Sequence, residues 1–298
     1  MKNTIFLVFA LIIISCKKEA PKEKVETTPV LENEIVKKEN DPAVEKVSKS
    51  DHTYLLGYYV GYFEASEFTD TNITPSYSNK INISIDQIKT DSIYGHSVVA
   101  GNERPFKGTF DKTSFSARTS EPGDDKYDGI FEIKFLPGQN EIKGIWIANN
   151  KNLSVTKRKY NLTKRKFKYD SKLNLDFDVD YDYNLALYDS QEDENGELEA
   201  ISAQIIGKLN ASTQELTNQD IENFNKGELE VLRNLIYARH GYSFKNRKMR
   251  YFFDSQIDWY IPVSTDVRSQ LTDLEKKNID LIKRYEQHAE RYYDYFGR

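Results

Sequence analysis

Arg239, His240 and Gly241 stand in succession inside the stretch LRNLIYARHGYSF (Leu232 to Phe244), and Trp259 and Tyr260 follow a short distance on. A cation held beside flat aromatic rings can grip a carboxylate through paired N–H donors or a sugar through its apolar face. Arg239, His240, Trp259 and Tyr260 are therefore the candidate ligand-binding residues. The same residues also have a plainer reading. Gly241 closes a helix in the left-handed conformation, and a basic residue in the last turn gains typically about 0.3–1 kcal/mol from the helix dipole. Exposure separates the two readings. A buried Trp259, with Arg239 paired to Asp254 or Asp258, would make the group structural.

Other chemistry is thinly represented. His52, His96, His240 and His288 are the four histidines, and neither an HExxH nor a GxSxG pattern occurs. A zinc-peptidase site and a nucleophile elbow are thus missing, and no catalytic residue, metal ligand or cofactor is assigned. Asp176, Asp178, Asp180 and Asp182 alternate along one strand face, just after a basic block at 157–168. They could form a calcium face, but a hairpin pairing Lys166 with Asp176 and Lys164 with Asp178 is the expected arrangement. In QEDENGELEAIS (Gln191 to Ser202), Gly196 and Leu198 fit an EF-hand loop, whereas Gln191 and Ser202 lack the end ligands. Asn195-Gly196 is read as a turn.

The positions around the motif belong to a helical region. Leu198, Ile201, Ile205 and Leu209 fit one helix face. Thr217 with Asp220, Asn225 with Glu228, and Thr272 with Glu275 have the spacing of reciprocal helix caps, and Leu216–Ile221 and Phe224–Leu229 that of hydrophobic staples. The helix opened at Asn225 turns Leu229, Leu232, Leu235 and Ile236 inward and must stop at Gly241. The last helix runs to about Phe296, with Asn278, Ile282, Tyr285, Ala289, Tyr292 and Phe296 as its inward stripe.

Upstream the period is two. TYLLGYYVGYF (Thr53 to Phe63) reads as an aromatic strand, with Gly57 and Gly61 marking close backbone approach. Ile81, Ile83 and Ile85 face one way and Asn82, Ser84 and Asp86 the other; Phe131, Ile133 and Phe135 repeat the pattern. Seven or eight short strands predict an antiparallel meander that closes as a barrel or sandwich, because open edges invite aggregation. Such a body could hold a small apolar ligand or fill with its own side chains. The fold class is α+β, with an antiparallel β-domain over 51–185, a connecting segment over 186–215 and a small helical domain over 216–298.

The chain starts MKNTIFLVFALIIISC. Its apolar run is too short to span a bilayer but suits the core of an export signal. Ile13-Ile14-Ser15-Cys16 resembles the lipobox of bacterial lipoproteins. That resemblance implies removal of residues 1–15 and acylation of Cys16, the single cysteine of the chain. Lys17, rather than Asp, follows Cys16, a pattern that points to the outer membrane, its face left open. Residues 16–50 carry Lys, Glu, Pro and Val but no aromatic, and read as a disordered tether with a root-mean-square reach of roughly 30 Å.

Forty-two basic residues against forty-seven acidic ones argue against nucleic acid as a partner. IYARHGYSF, RYFFDSQIDWYIP and LTDLEKKNIDLIKRYE together resemble the YARHG domain family, over about Leu216 to Tyr285. The resemblance implies an extracellular domain of bacterial envelope proteins and carries no catalytic residue across. The expected protein is a non-catalytic envelope lipoprotein that binds or scaffolds, anchored in the membrane through its lipid. Peptidoglycan, glycan or another envelope protein are its candidate partners. A wall- or glycan-hydrolase accessory and a hydrophobic-ligand carrier are the alternatives.

Overall fold

The computed structural model describes residues 52–69, 78–175, 182–184, 200–202 and 206–292. All of them lie in one compact unit, Ser48–Arg298. Cys16, the signal, the tether, Asp176, Asp178, Asp180, the side chain of Asp182, most of Gln191–Ser202 and Phe296 lie outside the described residues. None of the described helices is long and apolar enough to cross a membrane.

Eight antiparallel strands form a closed barrel in sequence order: β1 Gly57–Phe68, β2 Asn79–Lys89, β3 Ser92–Val99, β4 Asn102–Asp111, β5 Ser116–Ser120, β6 Gly129–Leu136, β7 Glu141–Ala148 and β8 Val155–Arg165. β1 pairs with β8, Tyr62 opposite Asn161, which closes the ring. The alternation seen in the sequence dictates what lies inside. Ile81, Ile83 and Ile85 share the core with Phe131, Ile133 and Phe135 and with Tyr59, Phe63, Phe106, Phe110 and Trp146. Burying a side chain of this size contributes about 1.5–3 kcal/mol. The rings pack edge to face, as with Phe110 and Phe135 at 5.6 Å and 90°. The middle of the barrel is thus filled by its own side chains.

Thr53–Leu55 is a 3-10 turn, so the first strand begins at Gly57 rather than at Thr53. The turn lays Leu55 and His52 across one end of the barrel, where the His52 ring meets Phe110 at 5.2 Å. Gly61 is needed for packing: a Cβ there would lie 2.8 Å from the Asn161 carbonyl.

The aspartates of the expected Lys164–Asp178 and Lys166–Asp176 pairs lie outside the described residues, and β8 does not form the hairpin that would carry them. β8 stops at Arg165, and both its edges are already occupied, by β1 and β7. Lys164 sits opposite Tyr59 instead. The helical reading of the stretch from Leu198 is corrected as well, since Ala200–Ser202 is a strand, β10, paired with β9 (Asp182–Asn184).

The helices are α1 Asn218–Ile221, α2 Lys226–Arg239, α3 Arg247–Gln256 and α4 Asp273–Tyr292. The caps are those the spacing predicts. Asn225 Oδ1 accepts from the Glu228 N–H at 2.8 Å, and Glu228 Oε2 accepts from the Asn225 N–H at 2.9 Å. Thr217 with Asp220 and Thr272 with Glu275 repeat the arrangement. Leu229, Leu232, Leu235 and Ile236 are buried together with Ile279 and Ile282. Leu175, Ile206 and Ala211 belong to the same core, so the segment before 216 is partly built into the helical unit. Asn278, placed in the apolar stripe of α4, is fully buried because its side chain bonds the backbone of Ala211, Gln214 and Leu216. Tyr292, in the same stripe, is exposed.

Barrel and helices are joined along β2, against which α3 packs. Lys80 Nζ donates to the Ile257 and Tyr260 carbonyls just beyond α3, while its backbone N–H donates to Asp254 Oδ2. Burial is the main influence on both ionisable groups, pushing the Asp254 carboxyl up and the Lys80 ammonium down. The outer face of β2 is consequently dry from Lys80 to Ser84 and becomes exposed at Asp86. Asn82 is fully buried between Val60 and Val98, and neither of its side-chain polar atoms is hydrogen-bonded.

Candidate functional site

α2 must end where its apolar face runs out, and Gly241 ends it with φ of +73°. The Gly241 N–H donates to the Ala238 carbonyl and the Tyr242 N–H to the Tyr237 carbonyl, the bonding of a Schellman cap. Close packing reinforces the need for glycine: a Cβ would lie 2.4 Å from Val263 Cγ2 and 2.9 Å from the Phe167 ring.

Arg239 and His240 are 1% and 3% exposed. The Arg239 guanidinium donates to the Leu173 carbonyl (2.5 Å), Ser212 Oγ (3.2 Å) and Asn174 Oδ1 (3.3 Å). The Trp259 indole donates to the Asn174 carbonyl at 3.0 Å. His240 stacks on Tyr169, with centroids 4.2 Å apart and planes at 17°, and its Nε2 lies 2.9 Å from Glu275 Oε2. Tyr169 donates to the other oxygen of Glu275. Burial alone would raise the Glu275 carboxyl, but hydrogen bonds from His240, Thr272 and Ser212 outweigh it and bring it down to about 2.

The donors expected to hold a ligand are instead turned onto the protein's own chain. Arg239, His240 and Trp259 meet around residues 167–174, the segment that leaves the barrel, and Tyr260 is buried with its hydroxyl on the Tyr242 carbonyl. An open surface of cation and aromatics is not formed by these four. Arg239 pairs with neither Asp254 nor Asp258; its partners are neutral acceptors. Asn174, Ser212 and Glu275 complete the hub. Only Glu275 had a signal in the sequence, and that signal was its capping spacing.

The neighbouring residues of the motif are partly exposed, apart from the buried Asn234. Glu230, Arg233, Asn234 and Tyr237 lie along one side of α2 and line a groove of about 580 Å³ with Tyr242 and the start of α3. Tyr237 and Tyr242 are half-buried, with ring centroids 6.0 Å apart. Arg233 is neutralised by Glu286 at 2.7 Å and Lys248 by Glu230 at 2.9 Å. Lys245 and Lys283, both exposed, line the same groove and make no ion pair among the described residues.

One cluster on the barrel has the residue types of a hydrolytic triad. Ser84 Oγ and His96 Nδ1 both bond the Asp86 carboxylate, at 2.6 and 2.8 Å. Burial alone would raise Asp86, yet these bonds hold it below its usual value, and the bond to Asp86 raises His96. The order is wrong for nucleophilic catalysis, which needs the histidine between serine and carboxylate.

A closed eight-stranded barrel joined to a unit with four described helices defines a two-part α+β protein whose motif residues lock one part to the segment leaving the other. Residues 203–287 match the YARHG domain family, and the C-terminal part of the chain carries that domain. Comparison with curated proteins gives no match.

Proposed function

We propose that the protein is a non-catalytic envelope lipoprotein, anchored at the outer membrane through Cys16, that binds acidic cell-wall glycan. The groove beside the motif carries this reading. It sets Tyr237 and Tyr242 next to Lys245 and Lys283, two exposed ammonium groups that make no direct ion pair among the described residues, although Glu286 acts on Lys283 through space. Sugar rings stack on tyrosine faces, and the carboxylates of wall glycan and its peptides complement the lysines. The YARHG domain, an envelope-type module by its resemblance, supports the same reading. The ring-filled middle of the barrel speaks against a carrier of bulky apolar ligands.

The test is co-sedimentation of the compact unit Ser48–Arg298 with purified peptidoglycan sacculi, beside Tyr242→Ala and Lys283→Glu, each checked for folding. Saturable pelleting that both substitutions weaken supports the groove. Absence of pelleting, or pelleting indifferent to both, removes it. Cys16→Ser in the full chain must abolish incorporation of labelled palmitate, or the anchor is wrong.

A further inference from the structure

The strand parity that fills the barrel with rings changes character at one end. β8 turns Tyr160 and Leu162 inward, and Arg158 shares their face. Its guanidinium lies 5.2 Å over the Phe63 ring, and one N–H donates to the Phe63 carbonyl at 3.0 Å. The remaining guanidinium N–H groups have no protein partner among the described residues, and no described carboxylate lies within ion-pair distance. Burial lowers the pKa of this group, and no neighbouring charge offsets that effect. A partly buried cation without a counter-charge is costly.

Three other charged side chains line this end, Arg104, Glu121 and Arg250, and Arg250 acts on the buried Asp254 carboxyl. Arg104, also at this end, contacts Asp128 at 3.1 Å and Asp125 at 3.4 Å. Glu121 is buried and accepts from the Trp146 indole (3.0 Å), the Gly129 N–H (2.7 Å) and Ser97 (3.2 Å). Arg158 is left facing a pocket of about 370 Å³, whose apolar floor is Phe63, Phe131 and Trp146. That volume is within the ~300–1,000 Å³ range of small-molecule sites. The opposite end is closed by His52 and Leu55, so this pocket is a blind mouth rather than a channel.

We infer that the open end of the barrel is a second binding site, taking a small organic carboxylate with a flat apolar body, its anionic head on Arg158 and its body against Phe131 and Trp146. A carboxylate matches the planar fork of a guanidinium, and a ring matches an aromatic floor. The site shares no residue with the groove beside the motif and stands independently of the glycan reading.

The experiment is a calorimetric titration of Ser48–Arg298 with 1-naphthoate and with its neutral analogue 1-naphthylmethanol, using Trp146 fluorescence as a second readout. Naphthoate should bind one to one and roughly tenfold or more tighter than the alcohol, as expected for one charge-assisted contact. Arg158→Met should erase that preference, whereas Lys283→Glu, in the groove, should leave it intact. Equal binding of acid and alcohol, no binding of the acid, or a preference that survives Arg158→Met would overturn the inference. If Arg158→Met fails to fold, the comparison of acid with alcohol on the unaltered protein still decides.

Discussion

Arg239 Nη2 donates to Asn174 Oδ1 at 3.3 Å across 65 positions of the chain, and the Trp259 indole rests on the carbonyl of that same asparagine. One residue of the segment between barrel and helices is therefore held from two sides. Arg239→Met should leave the Leu173 carbonyl, Ser212 and Asn174 without their donor inside the protein. The expected loss is about 2–4 kcal/mol, since a hydrogen bond to a charged group contributes about 1.5–3 kcal/mol and losses at one site overlap. Arg239→Lys should recover little of it, because an ammonium lacks the planar fork that reaches three acceptors. Urea unfolding of the three proteins measures both effects.

Glu275 makes a pH prediction. Its carboxyl falls from the ordinary 4.5 to about 2 in the folded protein. A depressed acid contributes stability that is fully present above its unfolded pKa and is lost as pH falls through the folded one. The stability difference between the wild type and Glu275→Gln should thus be constant above about pH 5 and shrink between about 4.5 and 2. A difference that stays flat down to pH 2 would mean the carboxylate is not held by His240 and Thr272 as described.

Asn82 should be improvable. Its amide is buried without a hydrogen bond and flanked in register by Val60 and Val98. Replacing an unsatisfied polar side chain by an apolar one removes a desolvation cost of about 1–3 kcal/mol. Asn82→Val should accordingly raise the urea midpoint without changing the slope. A lower midpoint would show that the amide has a role at the seam between barrel and helices.

The helical unit should depend on residues upstream of its family match. Leu175 belongs to its core, and Leu173 and Asn174 satisfy Arg239. A fragment covering 203–298 should be far less helical and less cooperative in thermal unfolding than one covering 166–298. Circular dichroism of the two fragments distinguishes these outcomes.

Local rules were readable from the chain; long-range partnerships were not. The three caps, the Gly241 terminator and the inward isoleucines of β2 follow from spacing alone and are found in place. Closure into a barrel rather than a sandwich depends on β1 meeting β8, a pairing no local pattern encodes. The same limit applies at Lys164, whose strand is paired with β1 and β7 rather than with the segment that follows it. Around the motif, residue types announced hydrogen-bond donors but not the internal acceptors that they meet. Nothing local says that Asn174 and Ser212 will arrive at Arg239, or that an Asn in the stripe of α4 will serve the backbone of 211–216. Arg158 was hidden in another way: within a basic block its charge drew attention away from its parity with Tyr160 and Leu162.

Closing β1 against β8 also sets an order of events for a chain made from its N-terminus. No subset of the first seven strands has both outer edges paired, because the partner of β1 is the last strand to emerge, ending at Arg165. Until then the nascent sheet carries two open edges and a face of isoleucine and phenylalanine, the features that make partly folded chains stick to one another. The helices and the hub come later still, since they follow β8 in the chain and join the barrel through Lys80 of β2 and Leu173 of the segment after β8. The chain therefore passes through its most adhesive stage before its barrel can close, and protection of that open sheet is a need built into its topology.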